Sequence, residues 1–107
     1  MTHFERGDVV MVDLGYVGKI RPCVVLSISN ADRERNMSIV VPLTTESRGG
    51  ECEVPFPKPA WLKQESVVNV LGIAGIDNAR IIRRLAPFPV EPLARVYGVI
   101  RRILAMN

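Results

Sequence analysis

The residues of this chain with chemistry to offer sit at the ends of two short apolar runs. Arg21 opens R-P-C-V-V-L-S (Arg21 to Ser27), and Thr44, Thr45 and Ser47 close V-V-P-L-T-T-E-S (Val40 to Ser47), with Arg48 next in line. A guanidinium fork fits phosphate oxygens, and a neighbouring hydroxyl adds a directed hydrogen bond. If the fold joins the two runs, they make a grip for a phosphodiester that uses neither metal nor histidine. The plainer reading treats Arg21 as a surface residue and the threonines as ordinary strand formers, and composition alone favours it.

Other chemistries have little to build on. His3 is the only histidine, so a two-histidine ribonuclease mechanism is out of reach and a Ser/His/Asp triad has poor support. There is no G-x-x-x-x-G-K-[ST] or G-x-G-x-x-G phosphate loop. Cys23 and Cys52 have no C-x-x-C spacing and read as buried or half-buried free thiols, with no metal expected. Glu51 and Glu53 fall on one face of an expected strand, where exposed alternation explains them better than magnesium does.

At 107 residues with a hydrophobic fraction of 48%, the chain is expected to form a single domain over 1–107 with one core. No apolar run approaches the roughly 20 residues that cross a bilayer, and the start M-T-H-F-E-R-G-D lacks a secretory h-region, so the cytoplasm is the expected compartment. The formal charge of +3 is modest, but its distribution is uneven. From Arg80 to Arg102 there are six arginines and one acid, Glu91, and only three of the 14 basic residues are lysines. Arginine suits phosphate and carboxylate geometry. A solvated basic face explains the run equally well.

The elements that must position these groups are mostly short strands. Runs expected to be strands are Val9 to Leu14, Pro22 to Ile28, Met37 to Thr44, Glu51 to Phe56 and Ile81 to Leu85, the last with a helical turn as the other option. Pro22 suits a strand's first residue, and Pro42 suggests an edge or bulge. Ser66 to Ile76 reads as two strands broken at Gly72 and Gly75, or as one bent strand. Ser29 to Asn36 is a polar excursion. Near the end the period switches to that of a helix over about 91–105, with Leu93, Val96, Tyr97, Ile100, Ile103 and Leu104 on one face. This is a mainly β pattern over about 8–85 with a C-terminal helix, hence a compact barrel or sandwich.

The order of motifs resembles the MazF/PemK family of toxins from type II toxin–antitoxin modules. R-G-D-V-V-M-V-D-L (Arg6 to Leu14), R-P-C-V-V-L-S, V-V-P-L-T-T, E-V-P (Glu53 to Pro55), L-K-x-x-S-V-V (Leu62 to Val68) and I-D-x-x-R-I (Ile76 to Ile81) carry the likeness over nearly the whole chain. The resemblance implies an SH3-like, CcdB-type small β-barrel that forms a homodimer. It implies a metal-independent, cofactor-free endoribonuclease that cuts single-stranded RNA, leaving a 2′,3′-cyclic phosphate and a 5′-hydroxyl. Arg21 and Thr44 match the family's catalytic arginine and threonine. Thr45, Ser47, Arg48, Lys19 and Asn69 are the residues expected to bind RNA, and Gly15 to Ile20 matches the loop bordering the groove.

The resemblance also implies an acidic antitoxin as partner, for which Trp61 and Phe56, flanked by prolines, would be apolar anchors; packing of Trp61 on the domain is the alternative. One departure stands out. Many members carry D-Q-x-R or E-Q-x-R where this chain has Leu71, Gly72, Ile73 and Ala74. Two other functions therefore stay open: a CcdB-like toxin acting on gyrase through its C-terminal helix, and a dimer that binds RNA and antitoxin without cleaving.

Overall fold

β-branched density sets the centre of the sheet. The computed structural model describes residues 3–15, 20–28 and 36–107. Within them, β1 (Asp8–Asp13), β2 (Ile20–Val25) and β3 (Met37–Thr44) pair antiparallel. β4 (Glu53–Pro55), β5 (Val67–Asn69), β6 (Ala74–Asp77) and β7 (Ile81–Pro87) extend them, and α1 (Val90–Ile103) follows. Strands run in the order β4-β5-β3-β2-β1-β7, with β6 on β3, and no pairing among the described residues closes the sheet into a barrel.

β3 is as long as its valine-rich run suggests; β2 is not where Pro22 places it. Pairing with β1 carries β2 back to Ile20, while its ladder with β3 spans only Cys23 to Val25. Pro22 thus lies just outside the β3 ladder, where a missing N–H is tolerated. Pro42 has a similar explanation. β6 pairs with Met37 to Val40 and β5 with Leu43 and Thr44. Pro42 stands between these two ladders on the shared edge of β3.

The expected strand from Glu51 to Phe56 shrinks to Glu53–Pro55, with Glu51 in the preceding turn, so Glu51 and Glu53 do not share a strand face. Ser66 to Ile76 breaks at a 3₁₀ turn, Val70–Gly72, whereas Gly75 lies within β6. Lys19, most of the loop from Gly15 to Ile20 and most of the excursion from Ser29 to Asn36 lie outside the described residues.

Side chains alternate across a strand, so the central strands bury both faces. One face carries Val9, Val24, Val41 and Leu43, joined by Val54, Val68, Phe88 and the helix residues Val96 and Val99. α1 covers this side, and Tyr97 donates its hydroxyl proton to the Leu26 carbonyl at 2.9 Å. Leu104 leaves the expected stripe and is exposed. Phe56 is buried, meeting Phe88 edge-on at a centroid distance of 4.9 Å, so it presents no surface anchor. Trp61 is partly buried against the same core.

The other face holds a smaller core of Val10, Val12, Cys23, Val25, Val40, Ile76 and Ile81. Among the described residues its cover comes from β6 and β7, with Phe4 and Leu14 packed against it. No helix is long and apolar enough to cross a membrane among the described residues.

Candidate nucleic-acid interface

Where the cover of the smaller core ends, the same sheet face opens into a groove. Along β3 the inward series Val40, Pro42, Thr44 passes from core to groove, as Val25, Cys23, Arg21 does along β2. β2 and β3 pair Val24 with Val41 and Cys23 with Pro42. Extending that register by two residues sets Arg21 opposite Thr44 on one face. The groove, about 980 Å³, is lined by both, and by Arg48, Asn69, Glu46 and Arg80.

The two leading groups are primed to donate. No hydrogen bond or ion pair engages the Arg21 guanidinium among the described residues. The Thr44 hydroxyl oxygen accepts the Glu46 N–H at 3.1 Å, which leaves its proton free for a ligand oxygen. Behind them, burial pushes the Cys23 thiol up to about 12, although the Arg21 charge pulls the other way. Cys23 is therefore a packing residue rather than a nucleophile. No disulfide joins it to Cys52.

Arg48 and Glu46 are carried by a turn that Glu53 pins in place. The Glu53 carboxylate accepts from the Arg48 N–H at 2.9 Å, the Ser47 hydroxyl at 2.7 Å and the Gly49 N–H at 3.0 Å. These bonds, the Arg48 one foremost, hold its pKa below the ordinary 4.5. Ser47 is thereby committed to the turn and does not line the groove. Thr45 lies one residue past Thr44 and so faces the opposite side of the sheet. It lines a separate recess with Pro22, Leu43, Lys63 and Ser66, which Arg21 also borders.

Arg80 is the groove residue that sequence reasoning passed over as a site residue, although the I-D-x-x-R-I motif contains it. It lies over Gly15, whose φ of +84° favours glycine, and its guanidinium reaches the Asp13 carbonyl at 3.4 Å. Much of the remaining C-terminal arginine run is structural. Arg84 pairs with Asp8 at 2.9 Å, Arg95 with Glu91, and Arg95 and Arg102 donate to the carbonyls of Pro55 and Glu51.

In formal charge the groove balances: Arg21, Arg48 and Arg80 against Glu46, Glu53 and Asp77. It suits a ligand held by directed hydrogen bonds rather than by bulk attraction. No group of three His, Cys, Asp or Glu residues is placed to hold a metal ion among the described residues. Leu71, Gly72 and Ala74 make this part of the groove wall apolar, and Leu71 is 68% exposed.

A small open sheet with one helix and a paired arginine and threonine on its uncovered face defines a class of compact β domain. The model of PemK-like, MazF-like toxins of type II toxin–antitoxin systems matches residues 5–104, and the chain belongs to that family. A MazE–MazF crystal structure (form II) from Deinococcus radiodurans is similar at 27% identity and a TM-score of 0.78, covering 97% of each chain. MazF alone (form I) from the same organism gives 27% and 0.80, covering 96% of this chain and 97% of that one. An endoribonuclease from a mycobacterial species, solved with its cognate antitoxin, shares the fold at 21% identity and a TM-score of 0.81, covering 98% of each chain. Among curated proteins none matches.

Proposed function

We propose that this toxin is an endoribonuclease that cuts single-stranded RNA in the groove by attack of the RNA's own 2′-hydroxyl. The observation that carries this reading is the placement of Arg21 across from Thr44 with both donors unengaged among the described residues. In the reaction the 2′-oxygen bonds to phosphorus and the bond to the 5′-oxygen breaks, giving a 2′,3′-cyclic phosphate and a 5′-hydroxyl. Arg21 and Thr44 hold the phosphorane oxygens where negative charge develops. Glu46 lines the groove with its carboxylate unbonded among the described residues and takes the 2′ proton. The departing 5′-oxygen takes a proton from a water in the open groove, and the hydroxide left behind is neutralised by the proton Glu46 has taken; Arg21 keeps its charge throughout. Arg48 and Arg80 grip neighbouring phosphates.

The direct test is incubation of the pure protein with a long unstructured RNA in the presence of a chelator, followed by mapping of 5′ ends. Discrete ends bearing 5′-hydroxyls support the reading. Intact RNA after prolonged incubation, or cleavage only with added magnesium, rejects it. The apolar wall at Leu71 to Ala74 favours a second reading, a protein that binds RNA without cutting; retention of RNA with no product would decide for that one.

The partners follow from the same family. Two of the Deinococcus structures are MazE–MazF assemblies, and an acidic antitoxin segment that orders on binding is the partner proposed here, with a second copy of the chain. Half-buried Trp61 remains a contact candidate on that surface.

A further inference from the structure

Asn69 is the neutral group in the groove with both a donor and an acceptor to spare. It ends β5, and its side chain makes no hydrogen bond within the described residues, not even as a cap of the turn that follows. The β3–β5 register sets Leu43 opposite Val68 and so Asn69 opposite Pro42, one diagonal step from Thr44. The structure gives it room. A Cβ at Gly72 would stand 2.7 Å from the Pro42 ring and 3.2 Å from the Asn69 Nδ2, so the amide sits where a side chain at 72 would crowd it. Leu71, next to it, is exposed and lines the same wall.

The division of labour follows from chemistry. The groove's arginines match phosphates, which fix position but carry no sequence information. A carboxamide presents a donor and an acceptor side by side, and on the N7 side of the bases the edge it complements bidentately is that of adenine, accepting from N6 and donating to N7; guanine shows two acceptors there and cytosine has no such ring nitrogen. Single-stranded RNA exposes both that edge and a flat face, and the apolar Leu71 and Pro42 wall suits the face.

We propose that Asn69 is a specificity-determining residue that reads an adenine in the nucleotide adjoining the scissile phosphate. This rests on the proposed endoribonuclease activity, but it has its own readout. The test maps cleavage ends from a random-sequence RNA pool for the wild type, Asn69→Ala and Asn69→Asp, each first matched for thermal midpoint and secondary structure.

The wild type should show adenine at one fixed position beside the cut. Asn69→Ala should keep cutting while the preference at that one position falls by about 5- to 150-fold, the discrimination of one bidentate pair. Asn69→Asp can only accept, so its preference should move toward guanine, whose N1–H and N2–H₂ donate side by side in an unpaired strand. An unchanged cleavage pattern in Asn69→Ala overturns the proposal. So does a wild-type pattern without adenine there, or a uniform loss of rate with every base preference intact.

Should the wild type cut nothing, the function proposed above fails while this inference stays testable by binding. Fluorescence anisotropy with otherwise identical oligonucleotides carrying one adenine or one cytosine should then show an adenine advantage that Asn69→Ala erases. Equal affinities for the two oligonucleotides in the wild type would overturn it.

Discussion

The two faces of the central sheet are built from the same three strands, yet one is finished and the other is not. On the helix side, Val9, Val24, Val41 and Leu43 meet Val96 and Val99 of α1, and the apolar surface is fully covered. On the far side, Val10, Val12, Cys23 and Val40 are covered by Ile76 and Ile81, with half-buried Phe4 and Leu14 at the margin and no helix among the described residues, and beyond them the face opens at Arg21 and Thr44. Adjacent residues of one strand therefore serve different ends. Leu43 is 2% exposed in the larger core, and Thr44, one step on, faces the groove. Period-two alternation is the device by which a small domain holds together on one side and binds on the other.

Paired substitutions across this divide test it most sharply. Arg21→Ala is expected to lower RNA cleavage by about 100-fold or more, the scale for losing one donor to a developing oxyanion. Its thermal midpoint should stay within about a degree of the wild type, since its guanidinium has no hydrogen-bond or ion-pair partner among the described residues. Cleavage at the wild-type rate would remove Arg21 from the reaction. Leu43→Ala should do the reverse, with a loss of about 2–5 kcal/mol in denaturant unfolding and activity retained by the folded fraction. Thr44→Ala, its neighbour, should lose activity by roughly tenfold, one hydrogen bond's worth, with little change in stability. If Leu43→Ala and Thr44→Ala behaved alike in both assays, the two faces would not be functionally distinct.

Strand content and the helix were legible in the chain because they rest on local periodicity. Met37 to Thr44 and the stripe from Leu93 to Ile103 are patterns that tertiary contacts did not overrule. β2 was displaced because its limits are set by how far β1 and β3 extend beside it, which no local pattern at Pro22 encodes. Thr44 and Thr45 look equivalent in T-T; only the strand's facing separates them. Ser47 looks like a ligand hydroxyl until Glu53, six residues on, is seen to accept its proton. Phe56 reads as an anchor between prolines, but its partner Phe88 is 32 positions away and hidden from local reading. Arg80 is written in the I-D-x-x-R-I motif, yet its place at the groove depends on a positive-φ glycine far back at Gly15.

Gly72 provides a smaller perturbation of the same divide, confined to the open face. Its identity is plain in the sequence, but the reason for it lies in space: the Pro42 ring occupies the volume where a Cβ would go. A pyrrolidine cannot rotate away, so Gly72→Ala must shift the 3₁₀ turn or β3. The expected cost is about 1–3 kcal/mol, as for overpacking elsewhere. Because the same Cβ approaches Asn69, the variant should also blur base preference beside the cut more than it slows cleavage overall. Stability equal to the wild type in chemical denaturation would show that the turn has slack the structure does not suggest.

The smallest expected effect is a dependence on pH, and it too belongs to the open face. Glu53 is held below the ordinary carboxyl value by the Arg48 N–H first, then the Ser47 hydroxyl and the Gly49 N–H, against some desolvation. A carboxyl with a depressed folded pKa contributes fully above its unfolded value near 4.5 and loses that contribution as pH falls through the folded value. Thermal midpoints should thus drop on acidification below about pH 4.5, and Glu53→Gln should flatten this part of the curve. Solvent exposure keeps the effect modest. Leu43→Ala, by contrast, should lower the whole curve and leave its slope on acidification intact, because the larger core contains no carboxyl group among the described residues. The two variants would separate a turn held by a charge from a core held by packing. A Glu53→Gln protein with the wild-type acid slope would mean that the bonds to Arg48, Ser47 and Gly49 do not hold the arginine-bearing turn to the groove.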